Sequence, residues 1–92
     1  MLDFIWLDEV VDKLEVKHQV SPTEVEQVFA GRHKVKKMHK GHFRGEDVYR
    51  ALGRTLAGRY LAVFFIRKRS GAALILSARD MDKKERRSYA TK

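Results

Sequence analysis

Arg54 stands near the end of one strand-like run and Arg79 just past another. A guanidinium is planar, stays charged at any relevant pH and grips phosphate through two parallel N–H donors, so both arginines suit the holding of a phosphodiester. For proton transfer near neutral pH the imidazoles of His39 and His42 have the right chemistry, and Glu46 and Tyr49 are weaker candidates. Around them runs a basic stretch containing Lys34, Lys36, Lys37, Lys40 and Arg44, followed by Arg59 and by Lys68 and Arg69. Cations of this kind position a polynucleotide backbone without reading its bases. The plainer reading, a solvated basic face with ordinary surface histidines, stays open beside it. His33, His39 and His42 have no acid or cysteine at ligand spacing, so no metal and no cofactor is expected.

Charge distribution points the same way. The 92 residues carry a formal net charge of +8, but residues 1–30 hold seven acids against two bases, whereas residues 31–92 hold eighteen bases against five acids. A positive field of that size attracts polyanions, nucleic acid first. The length suits a single domain that buries roughly 60 to 65% of its unfolded surface. Cysteine is absent, which removes disulfides and thiolate metal sites and suits a reducing cytosol. The opening MLDFIWLDEV carries acids where a secretion signal needs bases, and no apolar run approaches the ~20 residues of a membrane span. A soluble, cytoplasmic protein is expected.

These residues need a scaffold, and its centre is the stretch 59–78. Seven apolar residues run from Tyr60 to Ile66, a basic turn Lys68-Arg69-Ser70-Gly71 follows, and the run from Ala72 to Ala78 is broken by one serine. Such runs, bounded by turn residues, read as two strands of a hairpin. Val48 to Thr55 alternates Val48, Arg50, Leu52 and Arg54 against Tyr49, Ala51, Gly53 and Thr55, a strand with one mixed face. Arg32 to Lys40 reads as a charged edge strand, and 41–47 as a loop. Upstream, Val10, Val11 and Leu14 recur at helical spacing. Ser21-Pro22-Thr23-Glu24 then starts a second helix that buries Val25, Val28 and Phe29 and ends at Gly31. Phe4 and Trp6 are expected to pack under the first helix. Asp82, with Glu85 three residues on, caps a last helix that places Met81, Glu85 and Tyr89 on one side. The expected fold is a two-layer α+β domain over 1–92: a helical hairpin at 7–30, a four-stranded antiparallel sheet at 33–79, and a helix at 82–90. Connections this short leave no room for parallel crossovers.

The same residues carry a family resemblance. Gly53-Arg54-Thr55, Ala57-Gly58-Arg59-Tyr60-Leu61, Ser77-Ala78-Arg79-Asp80-Met81 and Glu85-Arg86-Arg87 before Tyr89 resemble the BrnT family of type II toxins, and Trp6, Lys17 to Ser21 and Glu24 to Phe29 are similar to its helical hairpin. The resemblance implies a RelE-like fold and metal-independent cleavage of mRNA. It also implies neutralisation by a co-encoded ribbon-helix-helix antitoxin, with which the toxin binds operator DNA. Two departures stand out: Gln19 where the family usually has glycine, at a turn that needs positive φ, and Leu7 where an acid usually follows the tryptophan. The glycine's replacement is expected to cost about 1 kcal/mol or to shift the turn.

Cleavage of this type needs a group to take the proton of the 2′-hydroxyl, cations to hold the phosphate as its charge rises, and an acid for the 5′-oxygen. Arg54, Arg79, His39 and Tyr49 are the catalytic candidates. RNA backbone is assigned to Lys34, Lys36, Lys37, Arg44, Arg59, Lys68 and Arg69, and the antitoxin to Arg86, Arg87 and Tyr89. The expectation is sharp: Arg54 and Arg79 should converge on one hollow, and internal ion pairs there would remove its physical basis. The competing reading is a binding module that keeps the fold without turnover. A homodimer through the uncovered edge strand is a further option.

Overall fold

A computed structural model describes residues 2–39 and 46–91. The two long apolar runs pair as expected. β4 (Tyr60–Arg67) and β5 (Ala73–Asp80) form an antiparallel hairpin whose turn is closed by Lys68 N–H to Ala72 O and Gly71 N–H to Lys68 O, each 2.8 Å, with Gly71 at φ 93°. A positive φ is open to glycine without strain. β3 (Val48–Arg54) pairs with the other side of β4, and β2 (His33–His39) pairs with β3, both antiparallel.

The sheet nevertheless has five strands, not four, and it is mixed. β1 (Phe4–Ile5) lies parallel to β5, Phe4 opposite Ala73 and Ile5 opposite Leu74, and the Ala73 N–H donates to Asp3 O at 2.8 Å. The strand order is β1-β5-β4-β3-β2. Two residues show no alternation, so this strand left no periodic signal. Nor did short connections forbid a parallel pair, because the crossover from β1 to β5 is most of the chain. Phe4 does pack beneath a helix, but the second one: its ring meets Phe29 edge to face at 5.4 Å.

Both N-terminal helices form. α1 (Asp8–Lys13) widens into a π-helical turn over Leu14–His18, and Gln19 then takes φ 53° and ψ 43°, the left-handed conformation that reverses the chain. α2 (Pro22–Ala30) starts at Ser21, whose hydroxyl accepts from the Glu24 N–H while the Glu24 carboxylate accepts from the Ser21 N–H. α3 (Lys83–Ala90) begins with the same reciprocal box between Asp82 and Glu85.

The sheet separates two environments. On one face α1 and α2 bury Leu14, Val20, Val25 and Val28 against Ala51, Leu61, Val63, Phe65, Ile75 and Ala78. Each fully buried large side chain there contributes about 1.5 to 3 kcal/mol. The approach is close: a Cβ on Gly53 would stand 2.8 Å from Val28 Cγ1. On the other face the smaller α3 covers Leu52 and Ala62 with Met81 and Tyr89, flanked by Tyr60 and Phe64. Alternation along β3 and β4 sends Arg50 and Arg54 to this second face, which is where the basic side chains gather.

Candidate functional site

The second face is built from β3, β4, β5 and the short α3. Arg54 ends β3 opposite Tyr60. Its Nε and one Nη donate to Gly58 O at 3.3 Å each, and its guanidinium carbon lies 4.5 Å from the centre of the Tyr60 ring. Gly58 permits this in two ways: its φ is 93°, and a Cβ there would meet the Arg54 Nη2 at 2.9 Å. From the opposite side of the sequence, α3 brings the Arg86 guanidinium to 4.1 Å from the same ring centre. Among the described residues neither arginine forms an ion pair with a carboxylate. Two uncompensated cations therefore share one aromatic ring at an exposed corner of the sheet.

The expected partnership of Arg54 with Arg79 does not form. Arg79 donates to Glu85 through both nitrogens of its fork, 2.6 Å to Oε1 and 3.0 Å to Oε2, and leans toward Phe64, 5.3 Å from that ring's centre. It is locked into the kind of internal ion pair that the sequence reading required to be absent. The cause is local. The Asp82–Glu85 box that starts α3 also lays the Glu85 carboxylate across β5, next to Arg79. Glu85 is 5% exposed. Its burial works to raise the carboxyl's pKa, but the hydrogen bonds from Arg79 and from the Asp82 N–H, with the charge of Arg79, outweigh it and hold the group below the ordinary carboxylate range. In return Glu85 raises Arg79 above the usual guanidinium value.

Arg50 completes this cluster and was not singled out by the sequence. One Nη approaches Glu85 Oε2 at 3.4 Å, and its buried Nε has no hydrogen-bond partner. Beside it opens a cavity of about 290 Å³, lined by Lys36, Met38, Arg50, Asp82, Lys84, Glu85 and Ser88. The signal for Arg50 lay in the alternation that placed it on one face with Arg54, and the signal for Glu85 in its spacing from Asp82. Tyr60 gave none, because it reads as the first residue of an apolar strand.

Other expected site residues are dispersed. Tyr49 faces the helices, stacked on Phe65 at 5.7 Å with Arg67 5.3 Å from its ring centre, so the sheet separates it from Arg54. His39 is exposed at the end of β2 opposite Val48, and six residues of β3 put that rung roughly 20 Å from Arg54. Lys68 and Arg69 sit at the tip of the β4–β5 hairpin, roughly 24 Å from Tyr60 along β4. Lys37 pairs with Asp47 at 3.1 Å on the helix face, which raises its pKa through that hydrogen bond. Lys34 donates to Ser88 O at 2.8 Å and to Thr91 O, holding the end of α3. Lys36 alone of the β2 lysines lines the cavity. His42, Arg44 and Lys40 lie outside the described residues, as does most of the expected loop.

Arg59, expected on the RNA surface, is internal wiring. It donates to Asp80 at 2.7 and 3.3 Å, to Glu24 at 3.3 and 3.5 Å, to Gln19 O at 2.7 Å and to His18 O at 2.9 Å. The hydrogen bond to Asp80 is the main cause of its raised pKa and of the lowered pKa of Asp80. Tyr89, expected at the antitoxin, is buried: its hydroxyl donates to Arg32 O at 3.0 Å and the Arg32 guanidinium carbon lies 4.6 Å from its ring centre. Arg87 is exposed on α3. Among the described residues no three His, Asp or Glu side chains are grouped to hold a metal ion, and no helix is long and apolar enough to cross a membrane.

One family model matches residues 6–85, and its description is ribonuclease toxin, BrnT, of type II toxin-antitoxin system. The match takes in Arg50, Arg54, Tyr60, Arg79 and Glu85; Arg86 is the next residue. Among curated proteins none matches this chain.

Proposed function

The chain belongs to the BrnT family of ribonuclease toxins of type II toxin-antitoxin systems, and we propose that it cuts mRNA without a metal at the Arg54–Tyr60–Arg86 corner. The observation that carries this reading is the pair of guanidiniums, neither ion-paired among the described residues, 4.5 and 4.1 Å from one ring centre. Arg54 spends its Nε and one Nη on Gly58 O and keeps its other Nη for a phosphodiester, and Arg86 brings a second fork of donors to the same ring. In the reaction the 2′-oxygen attacks the adjacent phosphorus and loses its proton. The bond from phosphorus to the 5′-oxygen breaks, and that oxygen takes up a proton. The products are a 2′,3′-cyclic phosphate and a 5′-hydroxyl. Charge builds on the phosphate oxygens as both P–O bonds are partly formed, and fixed guanidiniums stabilise it without reorganising, which is commonly the largest single catalytic contribution. His39 and Tyr49 stand too far from this corner to move its protons. Arg86, expected at the antitoxin, thereby serves the RNA site as well.

The partner in this reading is a ribbon-helix-helix antitoxin, with operator DNA bound only by the two together. The exposed cations of α3, Arg86 and Arg87, offer it a surface, so antitoxin and RNA compete for the same corner. The test is direct. Purified protein is incubated with RNA in the presence of EDTA, and 5′-hydroxyl and cyclic-phosphate ends are sought, with R54A and R86A as controls. Intact RNA, together with normal growth of cells expressing the protein, would refute the reading. A second reading, binding without turnover, is favoured by the capture of Arg79 by Glu85, and it predicts salt-sensitive RNA binding with no new ends.

A further inference from the structure

Glu85 is an unusual occupant of a basic face. The Arg79 fork grips its two oxygens as it would grip a phosphate, and Arg50 touches the second of them. Yet the fit to Arg50 is incomplete, since that residue's buried Nε is left with no acceptor. A buried donor left without an acceptor is destabilising. A planar carboxylate offers two oxygens in one plane, both already engaged by Arg79 and the Asp82 N–H. A phosphodiester sets its oxygens tetrahedrally, so one can face the Arg79 fork while another faces the side edge of Arg50. The adjoining cavity supplies an entrance with two further cations, Lys36 and Lys84.

We propose that Arg50 and Arg79 form a second phosphate-binding subsite for the RNA strand, which the Glu85 carboxylate fills until an RNA phosphate displaces it. The choice of ligand rests on the ribonuclease reading above; the carboxylate in an anion site does not. Arg50 and Arg54 are four residues apart on one face of β3, a span of about 14 Å that one bound strand can cover. The displacement asks only the Glu85 side chain to turn away, because α3 itself stays held by Tyr89 and by the Lys34 bonds to its end.

The variant that tests this is E85Q. Glutamine keeps the length and the acceptor for the Asp82 N–H, so the helix cap survives, but it cannot neutralise two arginines. The probe is a labelled 2′-O-methyl oligoribonucleotide of about ten nucleotides, a length within common single-strand site sizes. It cannot be cut, and its anisotropy is followed over a range of salt. E85Q is expected to bind about fivefold or more tighter at low salt and to steepen the salt dependence by about 0.7 in log–log slope, one more phosphate contact. Adding R50M should abolish both gains, and E26Q, which removes a distant carboxylate while keeping an acceptor for Trp6, should give neither. Unchanged affinity and slope in E85Q would overturn the subsite, as would equal gains in E26Q, gains that survive R50M, or absence of binding by both proteins at low salt. Cleavage of unmodified RNA is scored separately. A protein that cuts RNA but shows no E85Q effect loses this inference alone, and one that shows the effect without cutting loses the ribonuclease reading alone.

Discussion

Replacing Arg59 by methionine should destabilise the domain strongly and leave RNA binding by the folded protein nearly intact. Asp80 is 66% exposed, so its pair with Arg59 contributes on the order of 0.5 kcal/mol after screening. The half-buried Glu24 adds roughly as much. The carbonyls of His18 and Gln19 each accept a hydrogen bond from a charged donor, and losing it costs about 1 kcal/mol apiece. The total is about 3 kcal/mol. For a domain of this size each kcal/mol moves the melting temperature by about 4 to 8 °C, so R59M should melt some 12 to 24 °C lower. R59K should recover less than half of that, because an ammonium cannot reproduce the fork that reaches four partners at once. The assay is thermal unfolding by circular dichroism at pH 7, paired with RNA affinity measured well below the melting point. A fall of less than about 4 °C, or intact stability with lost RNA binding, would refute the argument and return Arg59 to the RNA surface.

Substituting Gly for Gln19 should raise stability by about 1 kcal/mol, read as a higher melting temperature, since φ 53° strains a side chain and suits glycine. G53A should lose about 1 to 3 kcal/mol in denaturant unfolding, because its Cβ would enter the space of Val28 Cγ1 and of the α2 backbone. R54A and R86A should each lower the cleavage rate about a hundredfold or more with little change in melting temperature, as expected for exposed donors that act on developing charge. The folded carboxyls of Glu85 and Asp80 titrate below their unfolded values. The stability they bring is therefore whole above about pH 4.3 and disappears as pH falls through the folded values. Melting temperatures taken from pH 5 to pH 2 should drop more steeply for the native chain than for E85Q.

Local signals carried most of the fold. Ser21 with Glu24, and Asp82 with Glu85, each became the reciprocal cap that their spacing suggested, because a cap is satisfied within four residues. The alternation from Val48 to Thr55 survived as two faces with different coverings. Gln19 was legible through likeness to a glycine-bearing turn, and its left-handed backbone is the consequence. β1 was illegible: its pairing joins residues almost seventy positions apart and leaves no pattern in a dipeptide. The arrangement of the site was only partly legible for a similar reason. Residue type identified arginines fit to hold phosphate, but which of them is free depends on where carboxylates arrive in space. Glu85 reaches Arg79 from another element, Asp80 and Glu24 reach Arg59 from two, and among the described residues no carboxylate reaches Arg54 or Arg86. Tyr49 lies on the opposite face of the sheet from Arg54, and His39 at the far end of its neighbouring strand.

The parallel bridge between the first strand and the fifth also sets an order for assembly. The two helices that cover one face of the sheet, α1 and α2, are synthesised before any strand of their platform except β1, and β1 has no neighbour until residues 73 and 74 have been made. Long-range closure of this kind is slow relative to local pairing. A nascent chain that stops short of β5 lacks Ala73, Ile75 and Ala78 from the surface its two helices cover, and it still lacks the arginine that α3 delivers to Tyr60. The cationic corner is thus completed only after every strand of the sheet has been made.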